Sequence, residues 1–77
     1  MTLGIEKSDN VCGGSARIVR TRIPVWVLQQ MRNLRMTEAE ILSSYPTLRA
    51  EDLVNAWRYV DSHSAEIEEE IRANEEA

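Results

Sequence analysis

Two prolines and one capping signal cut the middle of this chain into pieces that suit only short, closely packed helices. Pro24 fits the first turn of a helix, where its missing N–H costs nothing. Across residues 25–35, Val27, Leu28, Met31 and Leu34 recur at helical spacing, while Gln30, Arg32 and Arg35 fall largely outside that stripe. Thr37-Glu38-Ala39-Glu40 is a capping box: the Thr37 hydroxyl accepts from the Glu40 N–H, and Glu40 reaches back. Ile41 and Leu42 are the apolar residues of the helix it starts, and Pro46 closes that helix. A third helix begins near Arg49 or Ala50, with Leu53, Trp57 and Val60 on one side. Its pattern runs on through Ser64, Ile67 and Ile71. Unbroken from residue 50 to 74, it would be ~37 Å long, against a radius of gyration of ~11–12 Å for a compact domain of this size. Ser62-His63-Ser64 is the natural break, because serine competes for backbone hydrogen bonds and then caps the next helix.

Ahead of the helices, Asp9-Asn10 followed by Val11-Cys12-Gly13-Gly14-Ser15 reads as a turn. Residues 16–23 are rich in β-branched side chains, which predicts one short strand or two pieces forming a ribbon. The expected fold is therefore mainly α: a three-helix, helix-turn-helix-like core, a short N-terminal β ribbon and an extra C-terminal helix. Residues 1–15 form the N-terminal segment and Gly-Gly turn, 16–62 the ribbon and trihelical core, and 63–77 an acidic helix or tail.

A chain of 77 residues has room for one small domain and a thin core. That disfavours an enzyme with a deep pocket. Charge is segregated along it. Up to residue 35, Lys7 and five arginines face Glu6 and Asp9, a net +4; beyond it, three arginines face eleven acids, a net −8. Arg17, Arg20, Arg22, Arg32 and Arg35 are candidates for phosphate contact, because guanidinium forks match phosphate oxygens. Asn55 and Arg58, outward on the third helix, are candidates for base edges. The acids sharing that helix argue against tight, autonomous DNA binding. Trp26, beside the first helical stripe, suits a protein hot spot. Ile67 and Ile71 lie beyond the break with little domain left to cover, so they are expected to dock on a partner or a second copy, flanked by Glu68, Glu69 and Glu70. His63 and Cys12 each lack a companion at metal-binding or catalytic spacing, and Gly13-Gly14 lacks the Lys-Ser/Thr of a phosphate loop. No catalytic residue, cofactor or metal is expected. The lone cysteine, the lack of a long apolar run and an N-terminus unlike a secretory signal point to the cytoplasm and away from a membrane.

Cys12-Gly13-Gly14, Ile18, Thr21-Arg22-Ile23-Pro24-Val25-Trp26, Ala39-Glu40-Ile41-Leu42, Tyr45-Pro46 and Glu51-Asp52-Leu53 with Tyr59 recur in an order that resembles the bacterial and archaeal "domain of unknown function 433" family. The resemblance spans about residues 5–72. It implies a helix-turn-helix fold behind a β ribbon, and an antitoxin-like protein paired with a PIN-like nuclease-type toxin. The function expected is thus a non-catalytic module that binds and neutralises such a toxin. The alternative is a helix-turn-helix DNA-binding regulator, possible also as a homodimer. The chain departs from the family pattern at Ser15-Ala16, where Lys or Arg and then Pro are usual. It departs again at Val19-Arg20, usually Arg-Gly, and at Arg49, usually Thr or Ser.

Overall fold

A computed structural model describes residues 3–8 and 12–76. Asp9, Asn10 and Val11, at the start of the expected turn, lie outside them. The order is β1 (Ile5–Glu6), a 3₁₀ turn (Cys12–Gly14), β2 (Arg17–Ile18), α1 (Val25–Asn33), α2 (Glu38–Ser44), α3 (Ala50–Ser62) and α4 (Ser64–Glu76). The fold is mainly helical with a short antiparallel ribbon, as expected.

The ribbon is built differently from the expectation. Its first strand comes from residues 5–6, where the sequence has no clear period, with Ile5 opposite Ile18 and Glu6 opposite Arg17. On its other side β2 is bonded to the chain entering α1: Ile18 N–H donates to the Ile23 carbonyl at 3.0 Å and Val25 N–H to the Ala16 carbonyl at 2.9 Å. Thr21 closes the intervening turn, its hydroxyl donating to Ile18 O at 2.8 Å and accepting from Ile23 N–H at 3.1 Å. That turn holds Arg20 at φ 64°.

Pro24 is the N-cap of α1 in extended conformation, one residue ahead of the helix. The buried side of α1 is Val25 and Leu28; Leu34, expected on that stripe, is exposed because the helix stops at Asn33. The α2 capping box forms as read, with Glu40 N–H to Thr37 Oγ1 at 3.1 Å and Thr37 N–H to Glu40 Oε1 at 2.8 Å. Arg49, which has no side-chain acceptor, still starts α3, because the Asp52 carboxylate accepts its N–H at 2.9 Å.

α3 ends at His63 (φ −135°, ψ 37°), and α4 turns back to pack on α1 and α3. The body measures 27 × 26 × 21 Å with a radius of gyration of 11.6 Å, which a continuous helix from 50 to 74 would overrun. The expectation that Ile67 and Ile71 have little left to cover is overturned. Ile67 is fully buried and Ile71 is 9% exposed, in one cluster with Leu28, Leu53 and Tyr59. Once the chain reverses at His63, the apolar side of α4 faces the groove between α1 and α3. These two residues are core, and they are not available as partner anchors.

Candidate functional site

Arg17, Arg20 and Arg22 come together with Thr21 around a shallow depression of about 330 Å³. Their roles differ. The Arg17 side chain is largely buried; it donates to the Thr21 carbonyl at 3.1 Å and Ser8 Oγ at 3.3 Å, and pairs with Glu6 at 3.4 Å. It ties the ribbon to its turn. Arg20 and Arg22 are exposed. Arg58 is exposed on α3 and lines neither this depression nor the notch described below. Asn55, expected beside it, is instead only 8% exposed, because the N-terminal segment crosses α3 there. A Cβ at residue 4 would collide with its Nδ2, and Gly4 meets this approach at φ 75°. Asn55 is therefore not a base reader on an open helix face.

The residues expected to meet a partner protein also separate. Trp26 is half-buried and packed against the core. Glu70 is half-buried, with Oε2 accepting from Ser15 Oγ at 2.5 Å and Oε1 buried without a hydrogen-bond partner among the described residues. Glu68 and Glu69 are exposed. With Glu75 and Glu76 they make the outer side of α4 acidic, crossed by Arg72, which pairs with Glu69 and with Glu76 at 2.8 Å. Hydrogen bonding to Arg72 holds the Glu69 carboxyl below its ordinary range and raises Arg72.

α4 is fastened at its start by a small polar cluster. Glu66 Oε2 accepts from the Tyr59 hydroxyl at 2.8 Å and meets Lys7 Nζ at 3.1 Å, joining the strand end, α3 and α4. The His63 ring stacks on Tyr59 at 4.0 Å. Burial alone would push the Glu66 carboxyl up, but hydrogen bonds from Tyr59 and Lys7 together hold it below its ordinary value. Burial first, and then the Glu66 bond, raises the Tyr59 phenol; the same carboxylate raises Lys7. Arg32 lies over the Trp57 ring at 4.6 Å, and Trp57 Nε1 donates to Glu38 at 3.1 Å. That links α1, α2 and α3.

A further notch of about 260 Å³ was not foreseen from the sequence. Leu3, Gly4, Val19 and Arg20 meet Glu51, Asp52 and Asn55 of α3 there. No local signal announces it, since it exists only where the N-terminal segment crosses α3. Among the described residues, no group of His, Cys, Asp and Glu side chains could hold a metal ion, and no helix is long and apolar enough to cross a membrane.

What these elements define is a small, mainly helical module with surface depressions and segregated charge. The chain belongs to the family described as protein of unknown function (DUF433), whose model matches residues 5–60. It is similar to the crystal structure of a DUF433 member from Anabaena variabilis ATCC 29413, with a TM-score of 0.87 and 45% identity, over 90% of this chain and 68% of that one. No curated protein matches it.

Proposed function

We propose that the chain is a non-catalytic interaction module of the antitoxin type, working in the cytoplasm, that binds and neutralises a PIN-like nuclease-type toxin. The observation that carries this reading is the seating of α4. Its apolar side is locked into the core through Ile67 and Ile71, so the exposed Glu68, Glu69, Glu75 and Glu76 are held on a fixed helix. A pre-organised row of carboxylates loses little freedom on binding, and it offers a basic nuclease groove negative charge where nucleic acid would otherwise lie. The test is co-expression with the product of a neighbouring PIN-like reading frame. Glu68→Lys with Glu69→Lys should abolish neutralisation while leaving helical content unchanged. Neutralisation equal to that of the parent chain would end this reading.

The depression at Arg17, Arg20 and Arg22 favours a second reading, DNA binding in autoregulation, as a monomer or a homodimer. Its contacts would be to phosphate, because Asn55 is withdrawn from the helix surface. Binding to promoter DNA at ~50 mM salt that weakens in Arg20→Ala and Arg22→Ala supports it. No binding at that salt rules it out.

A further inference from the structure

The outer side of α3 is complementary to itself. Glu51, Val54, Arg58 and Asp61 are all exposed, and the steps of three, four and three residues between them put them on one side of the helix. The opposite side, with Leu53, Ala56 and Tyr59, is buried. Among the described residues, Val54 is the one large apolar side chain within a helix that stands in solvent, at 51% exposure. Leu3, 72% exposed, extends this apolar surface: the N-terminal segment crosses α3 at Asn55, and Leu3 and Glu51 line the same notch. Glu51 and Arg58 make no ion pair and no side-chain hydrogen bond among the described residues.

The order of charges along this side is what a two-fold axis requires. Glu51 and Arg58 lie seven residues, ~10.5 Å, apart along the helix, with Val54 near the midpoint. When a second α3 crosses antiparallel over Val54, each Glu51 comes opposite the Arg58 of the other copy, and the two valines meet at the axis. Asp61 then comes opposite the exposed Arg49 at the start of the other helix. A parallel crossing would instead set Glu51 on Glu51 and Arg58 on Arg58. Arg49 and Arg58 balance Glu51 and Asp61, so this stripe is neutral on a chain of net −4 and is spared self-repulsion. The outer side of α4 is not spared: its glutamates outnumber Arg72, and two copies of it repel.

We propose that this face joins two copies of the chain in a two-fold dimer, α3 against α3 and antiparallel, with Leu3 of each copy flanking the valine pair. A neutral stripe gives the phosphates of a nucleic acid no net attraction, which favours a second copy as the occupant. α3 has 13 residues and is ~20 Å long, so one side of it with Leu3 offers well under the ~800 Å² per partner of a standard interface. The dimer is therefore weak and dissociates on dilution. It uses neither the outer side of α4 nor the depression at Arg20 and Arg22, so it stands or falls separately from the toxin and phosphate readings.

The experiment is sedimentation equilibrium of the full chain up to ~1 mM, paired with ¹⁵N NMR on dilution. The mean mass should rise from that of one chain toward that of two. Dilution should shift the backbone amides of Leu3, Glu51, Val54 and Arg58 but not those of Glu68, Glu69 and Glu75. Arg58→Glu sets carboxylates against each other on both sides of the axis, and should weaken association at least about tenfold. Combining Glu51→Arg with Arg58→Glu keeps the net charge and restores both pairs, so the double variant should associate as the parent does. Should either variant lose helical content, Val54→Asp carries the expectation of weakened association, and the dilution shifts of the parent chain decide the site. A chain that stays monomeric to ~1 mM overturns the proposal. So does a double variant, folded, that associates no better than Arg58→Glu. Dilution shifts confined to α4 or to Arg20 and Arg22 overturn it by placing the contact elsewhere. A monomer whose Glu51, Val54 and Arg58 amides shift on adding duplex DNA overturns it in favour of nucleic acid.

Discussion

Arg20 and Gly4 are both held in the left-handed region of backbone space, at φ 64° and 75°, and they carry opposite expectations. For a residue with a Cβ that region costs roughly 1–2 kcal/mol, whereas glycine enters it freely. Arg20→Gly relieves this strain but loosens the unfolded chain, so a net gain of about 1 kcal/mol is expected in urea unfolding. A loss instead would show that the Arg20 side chain supports the fold. Gly4→Ala combines backbone strain with a collision against Asn55 Nδ2, and should cost about 2–3 kcal/mol. The double variant Gly4→Ala/Asn55→Ala should recover part of that cost, because only the collision depends on Asn55. Sequence alone makes one of these positions visible. The chain's Arg20 stands where the resembling family usually has glycine, which marks a turn that wants positive φ. Nothing near Gly4 or Asn55 hints at their meeting, since their contact joins residues 51 apart in the chain.

Individual elements were legible to the extent that their causes are local. The Thr37–Glu40 box could be read directly because both of its hydrogen bonds close within one helical turn. Thr37→Ala should cost about 1 kcal/mol, measured as a lowered unfolding midpoint. The break at His63 was legible for a similar reason, from the serines on either side. What escaped was direction: the Ile67–Ile71 repeat identifies the apolar side of α4 but does not say what covers it. Glu66 is among the contacts that settle this, and its titration provides the check. Bonds from Tyr59 and Lys7 hold its carboxyl lower in the folded chain than in the unfolded one. The unfolded state then takes up its proton first as pH falls. The stability Glu66 contributes is therefore complete above about pH 4.3, the unperturbed glutamate value. It is lost as pH falls through the lower, folded value. Glu66→Gln should be less stable than the parent at pH 7, and the difference should shrink steadily below about pH 4. A constant difference down to acid would mean that Lys7 and Tyr59 do not hold the carboxylate.

At the scale of the molecule, seating α4 in the core changes which experiments can speak about function. A domain this small is stable by only ~5–10 kcal/mol. Ile67 is fully buried between α1 and α3, so Ile67→Ala should cost about 2–5 kcal/mol, a large share of that total. A chain ending at residue 62 loses Ile67 and Ile71 together with the Glu66 cluster, and it uncovers one side of Leu28, Leu53 and Tyr59. It should be largely unfolded at 25 °C, with weak near-ultraviolet dichroism from Trp26 and Trp57 and no cooperative melt. Failure of such a truncated chain to neutralise a toxin would then report lost folding, whatever the surface of α4 does. Substitutions confined to Glu68 and Glu69 avoid the difficulty, because both side chains are exposed and neither is a member of the apolar cluster. A cooperative, near-parental melt of the chain ending at 62 would instead show that α1, α2 and α3 close a core by themselves. In that case α4 could be removed as a unit, and the burial of Ile67 and Ile71 would not be what holds the fold together.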